Sequence, residues 1–312
     1  MTYFAGYQSA LDYWFSQHAR RGARSTRCDT LPSEPLSSCP PDPEDFSRRG
    51  ISTEPLHLIV GKADHRCKRR GIMCHVMTGP IPKDSFERIS SDCWVSSPEL
   101  CFCQMASTLP LIDLVKRGFE LCARFSINPF TRDIERSDPL TTTRSLADYC
   151  ARYGSRKGAD RARMALQYVL DGAESPMEIA VAMLLTLPKR HGGYGIGGAV
   201  LNDIVKLPRR TRTGATITYR GDLVWRRARL VVEYDSKLFH ESPESIERDS
   251  LRRNNLLDGG WKVITLTREH VRNHVSLDET AAQIARAAGI RNPGVPKNYA
   301  KAREALRKLL LT

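Results

Sequence analysis

The sequence predicts an α+β chain whose last third runs in the order α-β-β-β-α-β. Three observations predict this. A capped apolar helix opens the segment at Ser175. Two β-prone runs, TITYRGDLVW and RLVVEYD, flank a tight basic turn. A second helix starts at Ser242–Pro243, stops at Gly259–Gly260 and leads into the strand WKVITLT. Fold class is therefore α/β in the C-terminal part and α+β across the chain.

Taken in order, residues 3–20 suit a helix, with Tyr7, Leu11, Trp14 and Phe15 at helical spacing. The following stretch, rich in Pro, Ser and charge, offers little to bury, so a disordered insertion is expected over 25–50. From PLHLIV to CWVSS, short β-prone runs are broken by Gly and Pro. SSPELCFCQMAST and LPLIDLVKRGFELCARF read as two helices, the first opening Ser-Pro-Glu. Residues 1–125 thus form a small α+β domain. SLADYCARY and GADRARMALQYVLDG give an all-helical connector over 126–174.

The C-terminal domain spans 175–275. Ser175 at N-cap, Pro176 at N1 and Glu178 at N3 make a capping-box spacing. Ile179, Met183, Leu184 and Leu187 form its apolar stripe, and Pro188 ends the helix. AVLNDIVKL is the first strand, followed by a basic loop and the two-strand hairpin. A helix near Leu277 and a basic amphipathic tail complete residues 276–312.

The 312 residues suffice for two domains, and the 41% hydrophobic fraction is ordinary for a globular protein. No apolar run is long enough for a membrane span, and the N-terminus lacks a signal pattern. Nine cysteines, an odd and scattered set, argue against a disulfide framework. A cytoplasmic chain with reduced thiols is expected. The net charge of +13 points to a polyanionic partner, nucleic acid above all, or to solvated basic faces.

The hairpin raises the chemical question. If its loop is symmetric about Arg227–Ala228, Trp225 faces Leu230 and Asp222 faces Glu233, with Cβ atoms roughly 4.5–5.5 Å apart. Alternation puts Val231, Glu233, Asp235 and Lys237 on one side of the strand. Opposed like charges destabilise a sheet unless cancelled. A divalent cation would cancel them, and carboxylate and water ligands suit magnesium. The alternative is a solvated acidic face with arginines nearby.

These residues and this element order resemble the PD-(D/E)xK superfamily with its restriction-endonuclease-like fold. The resemblance is closest to the small bacterial branch related to very-short-patch-repair endonucleases. It is carried by SPME, GDLVW…RLVVEYD and ERDSLRRNNLLDGGWKVITLT. It implies a magnesium-dependent DNA endonuclease, with manganese as substitute metal. Asp222 and Glu233 would hold the metal, Glu178 would be an outer ligand, and metal-bound water would attack the phosphodiester. The superfamily lysine belongs two residues after Glu233, where this chain has Asp235. Lys237, Arg252 or His240 would then supply the positive charge. In VSSPELCFCQMA and LIDLVKRGFELC the N-terminal part is similar to AbiEi-type antitoxin regulators of type IV toxin–antitoxin systems. This implies an alternative, a non-cleaving DNA-binding regulator. DNA is the partner expected in both cases, with RNA left open, and a homodimer or a toxin–antitoxin partner is compatible with either.

Other residues carry two readings each. Glu178 also serves as a capping glutamate, and His240 either ends its strand or acts near the metal as acid or base. Arg209, Arg210 and Arg212 in the loop, with Arg226 and Arg227 in the turn, suit phosphate contacts. Arg248 and Arg252, at i and i+4, either line the site and grip phosphate or form a solvated face. GGYGIGG follows a helix rather than a strand, which favours a connector over a phosphate loop. The set His65, Cys67, Cys74 and His75 has no usual zinc spacing and reads as scattered thiols beside a basic turn.

Overall fold

The computed structural model describes residues 2–17, 26–38, 40–52, 54–210, 216–235, 243–291 and 294–311. It is a mixed α/β molecule of two compact units, Met1–Val169 and Leu170–Thr312. No described helix is long and apolar enough to cross a membrane.

In the first unit, strands β1 (Tyr3–Ala5), β2 (Arg27–Cys28), β3 (Leu56–Val60), β4 (Ile72–Val76), β5 (Phe86–Arg88) and β6 (Cys93–Ser96) form one sheet in the order β2-β5-β6-β1-β3-β4. Its helices are α1 (Tyr7–Gln17), α2 (Pro43–Arg48), α3 (Pro98–Met105), α4 (Leu111–Leu121), α5 (Thr143–Tyr153) and α6 (Ala159–Leu166). A hairpin, β7 (Phe125–Ile127) with β8 (Ile134–Arg136), stands between α4 and α5.

Three expectations are corrected here. The first helix does not begin at residue 3. Tyr3–Ala5 is a strand, parallel to Cys93–Val95 on one side and antiparallel at Leu58 on the other. Gly6 permits the tight passage into α1, since a Cβ there would lie 2.8 Å from Ile59 Cδ1. The Pro/Ser-rich stretch expected to be disordered holds α2 and sends Leu36 and Phe46 into the core beside Leu56 and Leu58. Asp42 caps α2 by accepting the Glu44 N–H, with Pro43 in the first turn. Finally, α5 and α6, expected as a separate connector, belong to the first unit. Leu146, Cys150, Ala159, Ala162 and Ala165 are all buried.

The second unit opens with α7 (Pro176–Thr186). It continues with β9 (Val200–Arg210), β10 (Thr216–Trp225), β11 (Leu230–Asp235), α8 (Pro243–Asp258) and β12 (Lys262–Thr267). The sheet order is β12-β11-β10-β9, antiparallel except for the parallel pair β11–β12. This is the expected order of elements. Val224 and Val231 pack with Val205, Leu207 and Leu256 of α8. Leu230 and Val232 point the other way by alternation and are equally buried, so the sheet is covered on both sides. Helices α9 (Arg268–Arg272), α10 (His274–Ala287) and α11 (Tyr299–Leu311) follow. The tail is docked: Arg303 binds Asp278 at 2.9 Å, and Arg307 donates to the carbonyls of Val271 and Arg272.

Candidate functional site

The hairpin has the expected register, with Trp225 opposite Leu230, Val224 opposite Val231 and Leu223 opposite Val232. Arg226–Ala228 form one turn of 3-10 helix, and Arg229 closes the loop at φ 47°. Beyond Leu223 the alternation breaks. A Cβ on Gly221 would sit 2.6 Å from Val231 Cγ1, so Gly221 faces the core under α8, as Tyr219 and Val224 do. Residues 221 and 224 cannot share a side in a regular strand. The break falls at Asp222, and in neighbouring β9 Asn202 adopts φ 50°.

At this break Asp222 works as a substitute backbone acceptor. Its Oδ2 takes the Tyr234 N–H at 2.8 Å. Burial pushes its carboxyl above the usual range, and the Tyr234 N–H counters this. The negative charge of Glu178 raises it further, while Arg252 and Arg220 pull it back.

Glu178 is held by three donors. Oε1 accepts the Ser175 hydroxyl at 3.0 Å, and Oε2 accepts the Glu174 N–H at 2.8 Å and Asn202 Nδ2 at 2.6 Å. Ser175 in turn accepts the Glu178 N–H, so Glu178 performs its capping role while also standing near Asp222.

Glu233 meets Arg252 of α8 at 2.6 Å, with the two side chains 24% and 31% exposed. The same Nη2 of Arg252 donates to the Arg220 carbonyl, and the guanidinium lies 6.0 Å from the Tyr219 ring centre. Tyr219 accepts from Asn255 at 2.7 Å, and Arg220 grips Glu174 at 2.6 Å. Carboxylates and guanidiniums therefore alternate from the start of α7 through β10 and β11 to α8.

The family models, the curated proteins and the solved structures all return no match.

The expected site residues divide as follows. Asp222 and Glu178 are brought together. Glu233 is tied to Arg252, and Asp235 pairs in register with Thr267 at the end of β12. Among the described residues, no group of three or more Asp, Glu, His or Cys side chains is placed to hold a metal ion. The expected magnesium set Asp222–Glu233–Glu178 does not form such a group, and each of its carboxylates meets a donor within the unit. Lys237, His240 and Arg212 lie outside the described residues, as do the side chains of Arg209 and Arg210 at the end of β9.

Arg226, expected on phosphate, instead forks onto Asp203 with both contacts at 2.5 Å. Arg227 and Arg248 are exposed. Sequence reasoning missed Glu174, Asn202, Tyr219 and Arg220. Only Asn202 left a signal, as a residue type that tolerates positive φ in the middle of a strand-like run.

Proposed function

We propose that the C-terminal unit binds nucleic acid on a sheet of restriction-endonuclease type and holds it without cutting, in the manner of a regulator or antitoxin. The observation that carries this reading is the Arg252–Glu233 ion pair: the counter-charge to the strand carboxylate comes from α8, so the acidic end of the hairpin is neutralised from within the unit. Support comes from the order helix, three antiparallel strands, helix, parallel strand. Between residues 170 and 312 there are 24 basic against 16 acidic side chains, which accounts for +8 of the +13 net charge. Phosphates are met by exposed guanidiniums such as Arg227, which position the duplex without reading its bases.

The second reading, a magnesium-dependent endonuclease, is favoured by the nearness of Asp222 and Glu178, whose charges raise the cost of ionising Asp222. Two measurements separate the readings. Fluorescence anisotropy on a DNA duplex across a salt series is expected to give salt-weakened binding, with the slope reduced by about one on Arg227→Ala. Supercoiled plasmid with magnesium or manganese stays intact under the first reading. Nicking that is lost in Asp222→Ala establishes the second, and absence of binding at low salt removes both.

A further inference from the structure

In the first unit two thiols meet between neighbouring helices. Cys103 of α3 and Cys150 of α5 stand 47 positions apart in the chain, and their sulfurs share a hydrogen bond at 3.5 Å. A disulfide places its sulfurs about 2.05 Å apart, so about 1.5 Å of closure by side-chain rotation joins this pair. Other buried thiols are disposed differently. Cys101 turns to the Tyr7 carbonyl and Cys93 to the Trp94 carbonyl.

The two thiols are chemically unequal. Accepting the Cys103 thiol lowers Cys150 against the effect of burial, and the charge of Arg163 lowers it further. Arg163 is anchored beside it, donating to the Cys150 carbonyl at 3.2 Å. The same sulfur–sulfur bond raises Cys103, and burial adds to this. Cys150 is therefore the better nucleophile. Both residues are 0% exposed, which favours a small reagent over a bulky one. The way in is through α5, a surface helix that shows Ala147, Asp148, Ala151 and Arg152 to solvent. Its C-cap is Gly154, four residues after Cys150, and helix ends open locally at little cost.

We propose that Cys103 and Cys150 form an oxidative modification site, where a hydroperoxide converts the two thiols into a disulfide that staples α5 to α3. The Cys150 thiolate attacks one peroxide oxygen, the O–O bond breaks, and Cys150 becomes a sulfenic acid. The hydroxide released takes the Cys103 proton and leaves as water. The Cys103 sulfur then attacks the Cys150 sulfur and expels a second hydroxide, which leaves as water with the proton that Cys150 first lost. Two thiols and one hydrogen peroxide thus give one disulfide and two waters, with two electrons passing from sulfur to peroxide. The site is independent of the nucleic-acid reading of the C-terminal unit.

The test treats the folded full chain with hydrogen peroxide, alkylates the remaining thiols after unfolding, and maps tryptic peptides by mass spectrometry without reductant. A disulfide joining Cys103 to the peptide of residues 145–152 is expected, and dithiothreitol is expected to reverse it. In Cys103→Ser, Cys150 is expected to stop at the sulfenic acid and to be trapped by dimedone. Should the buried Cys103→Ser fail to fold, fragmentation of the wild-type cross-linked peptide decides alone. Absence of this cross-link after peroxide treatment, Cys150 joined to a different cysteine, or a cross-link that forms only in urea overturns the proposal.

Discussion

Replacing Arg252 by Gln removes the guanidinium from Glu233 and leaves a carboxylate that is 24% exposed with its closest counter-charge gone. Breaking a fully buried pair costs about 3–5 kcal/mol, whereas an exposed pair is worth about 0–1 kcal/mol. With one quarter to one third of each side chain in solvent, the loss falls between these limits, at about 2 kcal/mol. For a unit of this size that corresponds to a fall in Tm of roughly 6–10 °C. Urea unfolding followed by circular dichroism is the assay, because a shift in midpoint at constant slope isolates stability. Adding Glu233→Gln to Arg252→Gln removes the stranded charge, so the double variant is expected to recover about 1 kcal/mol. A single variant within about 0.5 kcal/mol of wild type, or strict additivity of the two substitutions, refutes the assigned role of Arg252.

Asp222 has a folded-state pKa above its unfolded value, so its ionisation opposes folding at neutral pH and the penalty disappears as pH falls below the folded pKa. Asp222→Asn, which keeps an oxygen for the Tyr234 N–H, is therefore expected to raise Tm at pH 7 and to lose that advantage in acid. His75 behaves in the opposite sense. Burial, then the neighbouring His57 at 2.8 Å and Arg66, lower it to about 4, so stability present above pH 6.5 is lost as pH falls toward 4. Discounted for its partial exposure, the loss is roughly 1–2 kcal/mol, and His75→Gln should flatten the pH profile of urea unfolding over that window. Phe46→Ala should cost about 3–5 kcal/mol in the first unit by thermal melting, since Phe46 is 1% exposed. A neutral result would mean that this stretch adds nothing to the core.

Local signals carried the second unit. Ser175, Pro176 and Glu178 fix the start of α7, and the span Thr216–Trp225 is the run of β-prone residues itself. The four-residue loop set Trp225 opposite Leu230. What the local pattern could not supply was the break at Asp222, which depends on Asn202 of another strand and on the room that Gly221 leaves for Val231. Nor could it supply the partner of Glu233, because Arg252 arrives across a helix whose placement depends on the whole sheet. In the first unit, Tyr3–Ala5 directly precedes the helical stripe that starts at Tyr7 and reads as part of the same helix. Its strand state comes from Cys93–Val95, about ninety positions away, where distant pairing overrides local periodicity. Phe46 was hidden by its neighbours, since prolines and serines set the average while one ring and an Asp-Pro cap set the structure.

The hydrogen bond from the Tyr234 amide to Asp222 Oδ2 makes one peptide group a spectator of the carboxylate. Its nitrogen and proton resonances must move when Asp222 gains a proton, binds a cation or is approached by a phosphate. Its exchange with solvent must quicken if the side chain turns away. A single amide in the sheet can thus follow the chemistry of this site by NMR without any added probe, and it responds before turnover or binding needs to be measured.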